Sequence, residues 1–375
     1  MTTAHRTIPV EEPSASVITS LVLSKDANRI ITASDDNTIK VYDLLSGELR
    51  HDLRGHEGGV WAIVETGDWL VSGSTDRTVR IWDLEGGRCL HVFGGHTSTV
   101  RVMAVVQPEW VAMEDGTREQ WPKEPLIVSG SRDHTMRVWT LPKPGDSSFS
   151  CVDEGTEDAG PYHLQHLQGH EHAVRALAAR GRTVVSGSYD YTVRVWDPIT
   201  GQCRLVLVGH TEKVYSVVLD PIYEKAYSGS MDGTVRIWDT KYGQRLHTLT
   251  GHTSLVGLLG ISPTYLVSAA ADSTLRVWNP ETGALLHVLA EHTGAVTCFY
   301  HDEVKVLSGS DGSLKLWDIR DGSCTRDVLT NVIGIWQVAC VGRWCVTASN
   351  QKVGGQSKTV LDVWDFSGEG ADWVD

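Results

Sequence analysis

Four arginines in the first half of the chain have the side chain that is best suited to binding an anion. A guanidinium presents paired N–H donors that match a carboxylate or a phosphate, and its charge strengthens the hydrogen bonds. The four are Arg77, Arg101, Arg132 and Arg175. The formal net charge of the chain is −14, yet we expect these four positive charges to converge at one place in the fold. There they would repel one another unless an anion lies between them. These residues therefore predict an anion-binding site.

Aromatic side chains are predicted to surround the same site. Trp61, Tyr189, Tyr215 and Trp336 occupy positions where other copies of an internal repeat carry small or polar residues. A basic centre with an aromatic rim suits a phosphorylated peptide that has proline and hydrophobic residues beside the phosphate. The alternative is that aspartates and glutamates of neighbouring repeats neutralise the arginines as ordinary surface ion pairs.

Six recurring histidines are the other candidates for chemistry, as metal ligands or acid-base groups. They lie in Gly-His or Glu-His pairs and are His56, His96, His170, His210, His252 and His292. Because one histidine falls in each repeat, the six belong to separate structural units and do not share a coordination sphere. No set of nucleophile, base and orienting residue can be assembled from the motifs either. We therefore expect no metal site, no cofactor and no enzymatic activity.

The elements that position these residues are copies of one repeat. Residues 72–83 read SGSTDRTVRIWD, and every copy ends near an aromatic residue. These aromatics are Tyr42, Trp82, Trp139, Trp196, Trp238, Trp278, Trp317 and Trp364. Their spacing of 40, 57, 57, 42, 40, 39 and 47 residues, together with the Gly-His and Trp-Asp pairs, is typical of a repeat architecture. Within one repeat, the segments 60–64, 69–72, 78–82 and 90–93 predict four short strands.

Comparison among the repeats separates framework residues from exceptions. An aspartate lies six residues before the aromatic in seven copies and predicts a tight turn between the second and third strands. These are Asp36, Asp76, Asp133, Asp190, Asp232, Asp272 and Asp311. A basic residue two places before the aromatic also recurs, as Lys40, Arg80, Arg137, Arg194, Arg236, Arg276 and Lys315. The four arginines of the predicted site do not recur in this way, so they require a reason other than the fold.

The repeat resembles that of the WD-repeat β-propellers. In that family the histidine, a strand serine or threonine, the turn aspartate and the tryptophan form a buried hydrogen-bonded set. The resemblance implies an all-β, eight-bladed WD40 β-propeller over residues 17–366, closed by an N-terminal strand within residues 1–16 that completes the last blade. Seven blades is the competing count, if residues 331–365 form only a cap. Residues 367–375 are expected to be a C-terminal tail.

Other parts of the sequence restrict the possible partners. Insertions at 107–124 and 141–162 lengthen the third blade, and their polar composition predicts solvated segments, the second of them disordered. The seven cysteines are expected to be free thiols, with Cys89, Cys203 and Cys324 as small buried residues. No apolar run is long enough to span a membrane, and the acidic charge argues against nucleic acid as a partner.

The order of motifs around the predicted site is similar to that in the propellers of the cell-division-control F-box proteins. The matching segments are Gly-Gly-Val-Trp61, Gly-His-Thr-Ser-Thr-Val-Arg101, SGSRD with Arg132, Ala-Val-Arg175, SGSYD with Tyr189 and Lys-Val-Tyr215. Residues 251–259 and 266–272 resemble the fungal branch of that family more closely. Members of the family are the phosphodegron receptors of SCF ubiquitin ligases.

The resemblance implies a role for each arginine of the predicted site. Arg101, Arg132 and Arg175 resemble the triad that grips a phosphothreonine or phosphoserine, and Arg77 would assist them. The chain would then be the phosphodegron-binding substrate-recognition module of an SCF-type ubiquitin ligase, found in the nucleus and the cytoplasm.

The resemblance assigns the remaining contacts to hydroxyl and aromatic side chains. Thr75 and Thr99 resemble hydroxyl donors to the peptide, and Trp61 resembles the residue that packs on the proline after the phosphosite. Tyr189 and Tyr215 resemble contacts to the peptide, and Trp336 resembles the wall of the pocket for the hydrophobic residues of the peptide.

The resemblance has one departure, which concerns the F-box itself. An F-box is expected before the propeller, and only about 16 residues precede it in this sequence. The SCF core is therefore expected as a partner only if an F-box lies upstream. The alternative function is a WD40 scaffold that assembles another complex through acidic, unphosphorylated partners.

Overall fold

The structure of the chain is a computed structural model. It describes residues 4–10, 16–112, 116–154, 160–220 and 224–367. Within these ranges the regular secondary structure consists of β-strands alone. The chain divides into two compact units, residues 1–55 with 249–375 and residues 56–248.

The strands are numbered in chain order. Those of the first unit's N-terminal part are β1 (Ala4–Pro9), β2 (Ile18–Leu23), β3 (Arg29–Ser34), β4 (Ile39–Asp43) and β5 (Leu49–Leu53). Those of the second unit are β6 (Val60–Thr66), β7 (Trp69–Ser74), β8 (Val79–Asp83), β9 (Arg88–Gly95), β10 (Val100–Val106), β11 (Glu109–Ala112), β12 (Arg118–Trp121), β13 (Leu126–Ser131), β14 (Met136–Thr140), β15 (Phe149–Glu154), β16 (His163–Leu167), β17 (Val174–Arg180), β18 (Thr183–Ser188), β19 (Val193–Trp196), β20 (Cys203–Leu207), β21 (Val214–Leu219), β22 (Lys225–Ser230), β23 (Val235–Asp239) and β24 (Arg245–Leu249). The first unit continues with β25 (Val256–Ile261), β26 (Leu266–Ala270), β27 (Leu275–Trp278), β28 (Leu285–Leu289), β29 (Val296–His301), β30 (Lys305–Ser310), β31 (Gly312–Asp318), β32 (Cys324–Val332), β33 (Gly334–Val341), β34 (Trp344–Val353) and β35 (Gln356–Asp365).

Each unit contains four blades, and each blade is built on four antiparallel strands. Blade one is β2–β5, blade two β6–β9, blade three β10, β13, β14 and β16, blade four β17–β20 and blade five β21–β24. Blade six is β25–β28, blade seven β29–β32, and blade eight is β1 with β33–β35. The predicted all-β fold class of an eight-bladed β-propeller is confirmed, and the competing count of seven is wrong. The N-terminal strand completes blade eight as predicted, because β1 pairs antiparallel with β35.

Neighbouring blades share their hydrophobic cores. In the second unit, Val71 and Phe93 of blade two pack with Met103 and Trp139 of blade three, and all four are buried. The strand residues alternate between such interfaces because successive side chains of a strand point to opposite faces. Each buried tryptophan removes roughly 200 Å² of surface from water.

Blade two shows the hydrogen-bonded set that the family resemblance implied. The His56 Nδ1–H donates to Asp76 Oδ2 at 2.7 Å, and the Ser72 hydroxyl lies 2.7 Å from His56 Nε2. The Trp82 Nε1–H donates to the same serine oxygen at 2.7 Å. Burial would raise the pKa of Asp76, but hydrogen bonds from His56 and Thr78 outweigh it and hold that pKa well below its usual range.

Blades three to six repeat this set with their own residues, and blade seven departs from it. Asp311 does not contact His292, whose Nδ1 lies 2.8 Å from the Ser310 hydroxyl. Asp311 lies in the turn between β30 and β31 as predicted, but it does not make the hydrogen bond to the histidine that the family resemblance implied. The cause is the turn of blade seven, which is one residue shorter, so that Ser308 stands nine residues before Trp317 instead of ten.

The framework interpretation of the recurring basic residues is supported by Arg137. This side chain is buried, and its Nη2–H donates to the carbonyl of Gly95 at 3.0 Å. Gly95 has φ +106°, and a Cβ there would lie 2.8 Å from the guanidinium carbon of Arg137. The glycine of a Gly-His pair is therefore required where a framework arginine crosses it.

Two expectations about cysteines were wrong. Cys340 and Cys345 form a disulfide, because they stand directly opposite each other on β33 and β34 with Cα atoms 4.1 Å apart. Cys89, Cys203 and Cys324 are free but only half-buried. They lie near the start of the fourth strand of their blades, where the sheet ends and less protein covers them.

The expectation of solvated, disordered insertions was also wrong in part. Within 107–124, β11 and β12 form a hairpin, and within 141–162, β15 pairs in parallel with β9 as a fifth strand of blade two. The reason is Phe149, whose ring packs against the rings of Phe93 and Tyr162. Residues 113–115 and 155–159 of the insertions, 1–3 and 11–15 of the N-terminal segment, and 368–375 of the tail lie outside the described residues.

Candidate anion-binding site

The first strand of each blade in the second unit places one candidate residue at a β-bulge. The register of β6 with β7 shifts between Val60 and Ala62, so Trp61 has no residue opposite it on β7. An equivalent shift in each of the other three blades leaves one residue without an opposite residue on the neighbouring strand. These are Arg101, Arg175 and Tyr215. A bulge redirects a side chain and is common next to functional sites. In blade one the register puts Thr19, and not Ile18, at this position.

The turn between the second and third strands contributes a second group of side chains. Thr75, Arg132 and Tyr189 each precede the turn aspartate, and their backbone N–H groups donate to the segment before the first strand, at 2.9, 2.9 and 3.0 Å. In blade two this approach requires Gly58, because a Cβ there would lie 2.2 Å from Thr75 Oγ1. The blade framework therefore holds the turn residue and the bulge residue side by side.

Most of these side chains, though not Tyr215, line one open pocket of about 650 Å³ in the second unit. Seven of the ten predicted site residues belong to its lining: Trp61, Thr75, Thr99, Arg101, Arg132, Arg175 and Tyr189. The lining contains no aspartate or glutamate. Among the described residues, no carboxylate forms an ion pair with Arg101, Arg132 or Arg175. For these three arginines, the alternative of ordinary surface ion pairs therefore has no support from the described part of the chain.

Aromatic rings hold the cations of the pocket in place. The guanidinium of Arg101 lies over the Trp61 ring at 3.8 Å, and that of Arg175 lies 5.8 Å from the Tyr215 ring. Such cation–π contacts orient a guanidinium and leave its N–H groups free to donate. Burial, together with the nearby Arg175, lowers the pKa of Arg101 to about 10. Arg101 is still charged at neutral pH, and an anion beside it would offset the repulsion from Arg175.

Three predicted residues do not line the pocket. Arg77 occupies the turn position after Asp76 with φ +74°, and Tyr215 stands behind Tyr189 with ring centroids 5.1 Å apart. Burial and a hydrogen bond with Tyr189 raise the pKa of Tyr215. Trp336 belongs to the first unit, where it is half-buried against the core cluster that includes Ile18 and Val346.

Five lining residues were not predicted from the sequence, and three of them have polar side chains. His134, His172 and Lys213 belong to the pocket, and the Lys213 ammonium lies 5.1 Å from the Tyr189 ring. The repeats contained a signal for Lys213, because the same position in blade three is Thr99, a predicted site residue. His172 stands one residue earlier in its repeat, where none of the predicted site residues falls.

The model of the family described as WD domain, G-beta repeat matches residues 6–43, 47–83, 87–140, 162–197, 201–239, 243–279 and 283–318. The chain belongs to this family. A crystal structure of the computationally designed Ika8 protein superposes on this WD-repeat chain with a TM-score of 0.75 and 30% identity, covering 93% of this chain and 96% of that one.

Two curated relatives are similar along most of the WD-repeat chain. Cell division control protein 4 of Candida albicans is 45% identical over 349 residues, which are 92% of this chain and 51% of the relative. WD repeat-containing protein pop2 of Schizosaccharomyces pombe is 42% identical over 368 residues, which are 97% of this chain and 51% of that protein. The chain thus spans about half the length of these relatives. The described residues contain no helix that is long and apolar enough to cross a membrane.

Proposed function

We propose that the pocket binds a peptide carrying phosphoserine or phosphothreonine followed by proline, and that the chain is the substrate-recognition module of an SCF-type ubiquitin ligase. The observation that carries this proposal is the set of Arg101, Arg132 and Arg175 around one pocket without a carboxylate partner in the described chain. The resemblance to the cell-division-control F-box proteins and the similarity to Cell division control protein 4 support it.

The chemistry of the pocket suits a phosphate better than a carboxylate. A phosphate carries a charge of about −1.5 to −2 at neutral pH and three acceptor oxygens. Three guanidiniums supply more donors than a single carboxylate can accept. The Thr75 and Thr99 hydroxyls, which also line the pocket, would donate to the same ligand.

The aromatic residues would read the peptide around the phosphate. Trp61, already packed under Arg101, would offer the rest of its surface to the proline ring. Tyr189 lines the pocket and would contact the peptide backbone. For Arg77 we retain the assisting role that the family resemblance implies, and for Tyr215 a contact with the peptide, since its ring packs against that of Tyr189. The role of Trp336 as the wall of a hydrophobic pocket stays an expectation from the resemblance.

In this proposal the chain binds its substrate and catalyses no reaction. Delivery to a ligase would depend on an F-box in the full-length protein, which would recruit the SCF core. The chemical step of ubiquitin transfer would then belong to other subunits.

The test is the binding of one synthetic peptide with and without its phosphate at several salt concentrations. Each lost charged hydrogen bond costs roughly 1.5 to 3 kcal/mol, so removing the phosphate should weaken binding by about a hundredfold or more. Binding should also weaken as salt rises, because the contact is electrostatic. Equal binding of an acidic, unphosphorylated peptide would contradict the proposal and favour the scaffold function.

A further inference from the structure

Two histidines that the proposed function does not use lie side by side in the pocket. His134 stands in the turn between β13 and β14, and His172 in the segment between β16 and β17. Both are exposed, both line the pocket, and their ring centroids are 5.4 Å apart. Among the described residues neither ring has a hydrogen-bond or ion-pair partner. The pair therefore has unused donor and acceptor nitrogens at the anion site.

The backbone fixes both histidines in position. His134 has φ +73°, a conformation that residues with a Cβ rarely adopt, and its turn is held by Asp133, which hydrogen bonds to His96 and Thr135. The carbonyl of His172 accepts a hydrogen bond from the Ser188 hydroxyl at 2.9 Å. The blade framework therefore fixes the backbone positions from which both imidazoles reach into the pocket.

The charged groups around the pair are mostly positive. The pocket also contains the cations Arg101, Arg132, Arg175 and Lys213. The neighbouring carboxylates Asp133 and Asp190 are hydrogen bonded to His96 and His170. Tyr189, at 6.4 Å between ring centroids, is the other titratable group in contact with His172, and Glu171 precedes it in an exposed position. In the empty pocket the balance of charge beside the pair is therefore positive.

A bound phosphate dianion reverses this balance. It neutralises the neighbouring cations and offers acceptor oxygens to a protonated imidazole, whose two nitrogens both donate. On the basis of the proposed function, we propose that His134 and His172 hydrogen bond to the peptide phosphate in their imidazolium forms, so that capture of the phosphopeptide takes up protons from solvent. The histidines then confer a preference for a dianion over a single carboxylate.

The sign of the pH dependence follows from linkage. When the bound complex holds more protons than the free partners, binding tightens as pH falls, by up to about tenfold per pH unit for each proton taken up. A phosphate begins to gain its own proton near pH 6, so that it is largely a dianion above about pH 7. A change in binding affinity between about pH 8 and about pH 7 therefore reports on the histidines and not on the phosphate.

The experiment is isothermal titration calorimetry of a synthetic phosphothreonine-proline peptide at about pH 7.5 in two buffers of different ionisation enthalpy. The difference in apparent enthalpy gives the number of protons taken up on binding. The wild-type chain should take up between about half a proton and two protons. The double variant His134→Asn with His172→Asn should take up almost none, and its affinity should change little between about pH 8 and about pH 7.

His247→Asn is the matched control, because His247 is exposed on β24 and does not line the pocket. It should take up as many protons as the wild type. Equal proton uptake by the wild type and the double variant would overturn the inference while leaving phosphate-dependent binding intact. Loss of the difference between phosphorylated and unphosphorylated peptide in the wild-type chain would instead overturn the proposed function, and this inference with it.

Discussion

At the scale of single residues, Arg101 combines the features expected of a ligand-binding cation. It stands at a bulge, lies 3.8 Å over the Trp61 ring and shares the pocket with Arg175. Arg101→Ala should weaken binding of the phosphopeptide by at least about tenfold, because each charged hydrogen bond contributes roughly 1.5 to 3 kcal/mol. The free energy of unfolding should change by less than about 2 kcal/mol, the size of a desolvated cation–π contact. Fluorescence anisotropy and chemical denaturation measure the two quantities.

The matched control for this prediction is Arg80→Ala. Arg80 is a framework residue two places before Trp82, lies 3.9 Å from Asp76 and does not line the pocket. Its replacement should leave the affinity for the phosphopeptide unchanged. A larger loss of binding for Arg80→Ala than for Arg101→Ala would show that comparison among the repeats does not separate framework from function.

At the scale of elements, β15 adds a strand to blade two and covers its outer edge. Phe149 packs against Phe93 and Tyr162, away from the pocket. Phe149→Ala should lower the free energy of unfolding by roughly 2 kcal/mol, below the usual range for a fully buried phenylalanine because this ring is half-buried. Binding of the phosphopeptide should stay the same. Urea denaturation and a binding titration check both parts.

Trp110→Ala provides the control for that element. Trp110 belongs to the hairpin of the other insertion, and its side chain is 69% exposed. Its removal should leave stability within about 0.5 kcal/mol of the wild type. If Phe149→Ala weakened peptide binding, the insertion would have to influence the pocket.

At the scale of the whole molecule, the blades contain a series of buried, neutral histidines. Burial and the Lys315 ammonium lower the pKa of His292 to about 4, and burial also lowers the pKa of His56, His170 and His210. An unfolded histidine gains its proton near pH 6.5. The unfolded chain therefore binds more protons, and stability should fall as pH drops from about 6.5 to about 4, by roughly 3 kcal/mol for His292 alone.

Chemical denaturation across that pH range measures this prediction. Below about pH 4 the depressed pKa values of Asp76, Asp133 and Asp190 add to the loss, since these carboxylates contribute stability only while they are ionised. His247→Asn should show the same profile as the wild type, because His247 is exposed. A free energy of unfolding that stayed constant between about pH 6.5 and 4 would contradict the prediction.

The repeat pattern was sufficient to predict the strands and the blades, because each of these forms from residues close together in sequence. The hydrogen-bonded sets were implied by the family resemblance. Ser72, Asp76 and Trp82 lie within eleven residues of one another, and the same spacing recurs in other blades. Where a repeat loses one residue, as between Ser308 and Trp317, Asp311 keeps its place in the turn, but Ser310 makes the hydrogen bond to the histidine. The disulfide of Cys340 with Cys345 was missed because pairing depends on which strand positions face each other.

The sequence alone determined what each blade is, since strand periodicity and turn chemistry are local. It also indicated which arginines were exceptions. Only the tertiary structure decided that Arg101 and Arg175, 74 positions apart in the sequence, line the same pocket. It also decided that Arg77 does not line this pocket and that His134 lies beside His172. The physical reason is that bulges and turns of separate blades direct these side chains, and their convergence depends on how the blades pack.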